Sequence, residues 1–252
     1  MSPRDCLQLD VGNSSAKWRL VRDGEIVARG VYRRDDAVSR TALLDCSQRP
    51  SAIWISSVAD DEKDRALRQL LLERWGVEPW FARSEAEQAG LHNSYAEPRR
   101  MGVDRWLAML AARARYPGQR LCVVDAGSAL TIDLVTPGGV HEGGYIIPGP
   151  ALMERALLLD TGRVRFSGPA EYSVTPGTST AEAVRHGVAL SQLGAVSLAL
   201  RPENGKSPPY VVFTGGGGEW LWHQLECRGE CVPDLVLEGL ALAAQCQARP
   251  CA

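Results

Sequence analysis

The feature that most constrains this chain is an Asp-x-Gly turn that occurs twice, 115 residues apart, each time between two strand-like runs. The first lies in Leu7-Gln-Leu-Asp10-Val11-Gly12-Asn13-Ser14-Ser15-Ala16-Lys17-Trp-Arg-Leu-Val21. The second lies in Leu121-Cys-Val-Val-Asp125-Ala-Gly127-Ser128-Ala-Leu-Thr131-Ile-Asp-Leu-Val135. Apolar residues alternate around the first turn, the period of a half-buried strand, and the second segment repeats its strand context. The shared context predicts a duplicated α/β chain with halves 1–117 and 118–252. Each half would be a mixed sheet opened by a hairpin that presents Asp-x-Gly, and the two would flank a cleft.

The remaining segments supply the layers of such halves. Asp23-Gly24 is a hairpin signal after the first pair of strands. Ala52 to Val58 reads as a β-branched strand, and Asp61 to Trp75 as a helix with Leu67, Leu70 and Leu71 on one face. A polar loop runs from Ser84 to Arg100. Val103 to Arg115 reads as a helix on the spacing of Trp106, Leu107, Leu110, Ala111 and Ala114, and Pro117-Gly118 stops it. Gly143 to Gly149 reads as a turn-rich connector into a helix near Ala151, and Thr180 sits at the N-cap position of a helix reaching Leu200. Tyr210 to Thr214 is a strand that runs into Gly215 to Gly218, and Pro233 to Leu240 leads into a closing apolar helix.

Composition narrows the function. Apolar residues make up 45% of the chain and the net charge is −2, so no overall basic field exists to bind nucleic acid. No run approaches the roughly 18 apolar residues of a spanning helix, so no membrane partner is expected. Met1 to Cys6 lacks the basic region and apolar core of a signal peptide. The seven cysteines are scattered, with no C-x-x-C pair, which fits reduced thiols in a cytoplasm. Cys227 and Cys231 could clip a metal or close a local disulfide, but both are rare outside dedicated frameworks.

The two turns carry the parts that a phosphate chain needs. Gly12 lets backbone N–H groups approach, Asn13, Ser14 and Ser15 offer side-chain hydrogen bonds, Lys17 offers charge, and Asp10 can orient hydrated magnesium. One such turn alone is an ordinary hairpin; two shift the balance toward phosphate. The four glycines after Thr214 leave room for a nucleotide against the backbone, although such a run is as often a flexible loop. They form neither a Walker A loop nor a dinucleotide fingerprint. Phosphoryl transfer also needs a carboxylate at the acceptor hydroxyl. Asp104 follows Gly102 at the start of a helix with Arg105 beside it, where the bland alternative is an acid complementing the helix dipole. The four histidines have no triad companions, and the tryptophans lack the interleaved basic residues of a base-stacking surface.

Taken in order, these motifs resemble the type III pantothenate kinases of the actin-like ATPase superfamily along nearly the whole chain. The resemblance is carried by Asp10 to Lys17, Tyr95 with Gly102-Val103-Asp104-Arg105, Asp125 to Thr131, Gly143 to Gly149, and Gly177-Thr-Ser-Thr180 with Gly215-Gly216. It implies a duplicated actin-like (ribonuclease H-like) fold and transfer from ATP, with Mg2+, to the primary hydroxyl of pantothenate, the first step of coenzyme A synthesis. By position it implies Asp104 as proton acceptor and Tyr95, Gly102, Val103, Asp104, Arg105 and Thr180 as substrate contacts. It implies Asp10, Val11, Gly12, Asn13, Ser14, Ser15, Ala16, Lys17 and Ser128 as nucleotide contacts. It further implies a monovalent cation, K+ or NH4+, at Asp125, and a homodimer. Ser14, Ser128 and Ser179 stand where the family often has Thr, Thr and Asn; the first two keep a hydroxyl, whereas Ser179 loses an amide. The glycine run is longer than the family's usual pair. A kinase of another small alcohol fits the Tyr95 to Arg105 segment less well. A regulatory accessory protein on the same fold would be expected to have lost Asp10 or Asp104.

Overall fold

A computed structural model describes residues 4–13, 15–160, 171–201 and 207–247. Ser14, expected in the first phosphate turn, lies outside the described residues. In chain order the elements are β1 (Asp5–Val11), β2 (Ala16–Arg22), β3 (Glu25–Tyr32), α1 (Ala37–Leu44), β4 (Ala52–Ser57), α2 (Asp61–Trp75), β5 (Trp80–Phe81), β6 (Glu87–Gln88), β7 (Leu91–His92), a 3-10 turn (Pro98–Arg100) and α3 (Val103–Arg115). They continue as β8 (Leu121–Ala126), β9 (Ala129–Val135), β10 (His141–Pro148), α4 (Pro150–Asp160), α5 (Thr180–Ala199), β11 (Tyr210–Thr214), α6 (Gly218–Gln224), β12 (Gly229–Cys231) and α7 (Leu235–Gln247).

The chain forms two compact units, one of Met1–Arg115 with Leu235–Ala252 and one of Tyr116–Asp234. The sequence alone assigned everything after residue 117 to the second half. Helix α7 instead belongs with the first unit, where it packs on α3, β1 and β4. Both helices are apolar on more than one side, with Trp106, Leu107 and Leu110 of α3 and Leu235, Leu240 and Ala243 of α7 all buried, so each needs cover from another helix.

Each unit is built on a five-stranded sheet, and the two sheets have the same order: β3-β2-β1-β4-β5 and β10-β9-β8-β11-β12. In both, the leading strand pairs antiparallel with its hairpin partner and parallel with the strand on its other side. The duplication read from two short motifs is therefore a duplication of whole sheets.

In the first unit, Leu7 and Leu9 of β1, Trp18 and Leu20 of β2 and Ile53 and Ile55 of β4 meet Leu67, Leu71 and Trp75 of α2 in one core. Asp60 caps α2 by accepting from Lys63 N at 2.9 Å, and three acids in the first turn complement the helix dipole. At the other end of α2, Gly76 takes a left-handed conformation (φ 65°) and closes the last turn. In the second unit, Cys122, Val124, Leu130, Ile132, Val211 and Phe213 form the core with Leu193 and Val196 of α5. Two polar pairs lie inside that unit, buried His141 Nε2 with buried Asp133 Oδ1 at 3.0 Å and buried Arg120 Nη2 with half-buried Glu142 Oε2 at 2.8 Å. Each leaves its partner's charge or dipole matched inside the fold.

Three local expectations need correction. Gly143 to Pro148 is not a connector: it is most of edge strand β10, paired with β9 from Ala129 to Leu134, with a bulge between His141 and Gly143. The four glycines are not a flexible loop: Gly217 N donates to Ala126 O at 2.9 Å and Gly218 opens α6. The N-cap of α5 is Ser179, whose Oγ accepts from Glu182 N at 3.2 Å, and Thr180 is the first helical residue. Ser179 is extended (φ −130°), as a cap must be, and Glu182 Oε2 answers by accepting from Thr178 N at 2.7 Å. Among the described residues no helix is long and apolar enough to cross a membrane.

Candidate active site

The first Asp-x-Gly turn sits where β1 passes into β2. Asp10 lies across from Lys17 on β2 and beside Ser56 on β4, and Gly12 N closes the turn onto Ser15 O at 2.9 Å. Ser56, fully buried, donates its hydroxyl to Asp10 Oδ1 at 3.1 Å. Loss of solvent, and secondarily the negative charge of Asp104, push the Asp10 carboxyl up to about 6, while the Ser56 hydroxyl and the Lys17 ammonium pull the other way. Asp10 and Asp104 therefore feel one another although 94 residues separate them in the chain. A carboxylate at Asp10 is a ligand suited to a divalent cation that keeps several waters and takes its other ligands from phosphate. The side chains of Val11 and Ala16 belong to the core, so only their backbone can meet a nucleotide. Asn13 is exposed and Ser15 half-buried.

Asp104 is the second residue of α3, and its position depends on Gly102. A Cβ at residue 102 would lie 2.6 Å from Asp104 Oδ1, so only glycine leaves the carboxylate this orientation. The same oxygen accepts from Arg105 N at 2.7 Å, anchoring the carboxylate at the helix start. Arg105 itself is buried, with 4% of its surface exposed, and its Nη1 donates to Tyr95 Oη at 3.0 Å. The guanidinium also lies 5.8 Å from the centre of the Tyr95 ring. Tyr95 N in turn donates to Asn93 Oδ1 at 3.0 Å, which holds the loop that carries it. The structure thus brings Asp10, Lys17 and Asp104 together in one group and Tyr95 with Arg105 in another, while Val103 is buried in the core.

The second turn repeats the first on the other sheet. Asp125 faces Thr131 on β9 and Thr214 on β11, and Gly127 N donates to Ala129 O at 2.9 Å. Thr214 occupies the place that Ser56 holds in the first unit, and it too is buried. Gly215 follows it with φ +82°, and a Cβ there would lie 2.6 Å from Ala126 O and against Asp125 Oδ1. Glycine is thus required for this backbone to pass beside the carboxylate. Ser128 is exposed at the turn, and its carbonyl accepts from Gly149 N at 3.0 Å. Thr180 is exposed at the start of α5.

Ser56 was missed by sequence reasoning because its role exists only through the parallel pairing of β4 with β1. The duplication held the missing signal: Thr214 ends the strand beside the second turn, and a hydroxyl at the matching end of Ala52 to Ser57 is its counterpart.

Two sheets of equivalent order, each carrying an Asp-x-Gly turn whose aspartate pairs in register with a buried hydroxyl residue of the next strand, define a duplicated actin-like fold. Within that class the chain belongs to the type III pantothenate kinase family, whose profile matches residues 6–201. Named type III pantothenate kinases from Hahella chejuensis and Thiobacillus denitrificans are 37% and 38% identical to it, over 94% and 96% of this chain and 96% and 97% of theirs. That from Pseudomonas putida is 38% identical over 94% of this chain and 98% of its own. Among solved structures, a protein from Campylobacter jejuni described as a Baf family transcriptional activator superposes with a TM-score of 0.60 at 20% identity, covering 96% of this chain and 98% of that one. The activator of 2-hydroxyisocaproyl-CoA dehydratase from Clostridium difficile, with bound ADPNP, gives 0.52 at 11% identity, covering 98% and 99%. At those identities the structural likenesses bear on the fold alone.

Proposed function

We propose that this chain transfers the γ-phosphoryl group of ATP to the primary hydroxyl of pantothenate, yielding 4'-phosphopantothenate and ADP. The observation that carries the mechanism is the Asp104 carboxylate, given room by Gly102 and anchored at the helix start, where its charge is felt by Asp10. Asp104 orients the acceptor hydroxyl and takes its proton as the new O–P bond forms, while the bond from the γ-phosphorus to the bridging oxygen breaks toward ADP. Tyr95 and Arg105 form a pre-organised pair for the anionic acceptor, with Gly102, Val103 and Thr180 as its further contacts. Gly12, Asn13, Ser14, Ser15 and Lys17, with the backbone of Val11 and Ala16, receive the phosphates. Ser128 receives the nucleotide from the second turn.

Asp10, through water, would hold Mg2+, which supplies charge neutralisation on the phosphate oxygens. Asp125, in the cradle that Gly215 leaves open, is the assigned ligand of a monovalent cation, K+ or NH4+. The working unit is a homodimer. Supporting this is an apolar cavity of about 1200 Å³ lined by Leu152, Met153, Leu157 and Val188, flanked by the exposed Tyr145, Ile146 and Leu190 on β10 and α5. Light scattering on the purified chain tests that part directly. None of the six described cysteines is in a disulfide, which fits work in the cytoplasm.

Asp104→Asn tests the mechanism. It is expected to lower kcat at least about 100-fold, the usual contribution of a positioned base, and to leave ATP affinity within about twofold. Calorimetry with ATP and turnover with pantothenate give the two readings. Loss of both together would contradict the assigned role.

A further inference from the structure

A cavity of about 710 Å³ on the first unit is lined by five arginines and reaches Gly102 and Val103, the residues that precede Asp104. Two of the five are neutralised away from it: Arg68 Nε pairs with Glu78 at 2.6 Å and Arg100 Nε with Glu97 at 2.8 Å. The other three, Arg65 of α2, Arg83 after β5 and Arg99 of the 3-10 turn, are exposed and make no ion pair among the described residues. Arg65 stands four residues after Asp61, the spacing of a helical ion pair, yet forms none. Asp61 and Asp64 line the same cavity from the first turn of α2, where the helix dipole, equivalent to about half a positive charge, offsets part of their charge, so the cationic excess over the two acids comes from the three unpaired arginines. Asp64 is further engaged by the Ser57 hydroxyl at 2.5 Å.

Three guanidiniums from three separate elements, gathered around one concavity and in ion pairs with neither Asp61 nor Asp64, outnumber those two acids and lower the potential energy of an anion that enters. We propose that Arg65, Arg83 and Arg99 form a cationic collar that attracts the negatively charged acceptor substrate to the segment carrying Asp104. The proposal rests on the acceptor assigned above, whose carboxylate is the charge the collar meets. Because the three side chains are solvated, they act through a field rather than through fixed contacts. That field reaches about 10 Å in 0.1 M salt and fades at higher ionic strength.

The test is steady-state kinetics at saturating ATP and fixed potassium, with ionic strength raised by an inert salt. Four proteins are compared: wild type and the triple variants R65K/R83K/R99K, R65A/R83A/R99A and R65E/R83E/R99E. For wild type and the lysine variant, kcat/KM for pantothenate is expected to fall as salt rises. For the alanine variant it is expected to start about fivefold lower and to be nearly independent of salt, and for the glutamate variant to rise with salt. The loss should fall on KM rather than on kcat. A structural role for these exposed side chains would not reverse the sign of the salt response. If all four proteins share one salt response, the collar is refuted while the acceptor assignment stands. If the wild type phosphorylates no pantothenate at any salt, the acceptor assignment falls and the collar falls with it.

Discussion

Replacing Ser56 by alanine isolates the side-chain hydrogen bond that, among the described residues, favours the charged form of Asp10. The Asp10 carboxyl stands at about 6 because desolvation and the charge of Asp104 outweigh the Ser56 hydroxyl and Lys17. A hydrogen bond to a charged group is worth about 1.5–3 kcal/mol, which at about 1.36 kcal/mol per unit is a rise of about one to two pKa units. Ser56→Ala should therefore carry Asp10 to about 7–8. At neutral pH its ionised fraction drops from about nine-tenths to between about a half and a tenth, and magnesium-dependent turnover drops with it. The assay is kcat/KM for ATP from about pH 5.5 to about pH 9, where this value governs the acid limb. Ser56→Thr keeps the hydroxyl, as Thr214 does in the second unit, and should leave the limb in place. If the alanine variant is uniformly slower with an unmoved limb, Ser56 packs the strand and does not tune the carboxylate.

The same carboxyl gives a stability prediction of opposite sign. Its folded value lies above the ordinary 3.8, so the folded chain binds the proton more tightly than the unfolded chain, and stability present below about pH 4 is lost as pH rises through about 6. Asp10→Asn removes up to about 3 kcal/mol of that cost; by differential scanning fluorimetry without ligand it should melt several degrees above wild type at about pH 7.5, with the gap closed near pH 4. An equal gap at both pH values would contradict the linkage. Gly102→Ala places a methyl 2.6 Å from Asp104 Oδ1, and a carboxylate displaced by even part of an ångström should cost kcat about 10- to 100-fold with the melting midpoint nearly kept. Gly215→Ala forces φ +82° on a residue with a Cβ and crowds Asp125; about 1–2 kcal/mol of backbone strain alone should lower the melting midpoint, and potassium activation should weaken in the same variant.

The parts of the fold legible in the sequence are those set by local periodicity and by strong punctuation. Helix α2 and helix α3 occur over the residues their apolar spacing predicted, because Asp60 with Gly76 and Gly102 with Pro117 bound them in sequence. The two Asp-x-Gly turns were legible for the same reason. Less legible were short elements whose stability comes from neighbours: α1, α6 and β12 have too few residues to show a period, and β12 is a strand only because β11 pairs with it over Val211 to Phe213. Gly143 and Gly144 carry turn chemistry in isolation, yet β9 offers that segment a full set of backbone partners and it becomes β10. The cap of α5 moved by one residue because Ser179 and Thr180 are both good caps, and Glu182 decides between them by its spacing from Thr178 and Ser179. Helix α7 went to the first unit because it completes the cover over α3, a pairing between residues more than a hundred positions apart. Asp10, Asp104 and Asp125 stood out in the sequence as candidates through their motifs, and their roles remain part of the proposal. The Asp10–Ser56 bond, the Asp10–Asp104 repulsion and the Tyr95–Arg105 pair exist only once the chain is folded.

The most direct measurement is phosphoryl transfer from ATP to pantothenate by the purified chain with magnesium, followed by 31P NMR in potassium and in sodium buffer. The account predicts 4'-phosphopantothenate in potassium, much less in sodium, and none from Asp104→Asn in either. A folded wild-type protein that consumes no pantothenate in potassium, or an Asp104→Asn variant that keeps pace with it, would contradict the account.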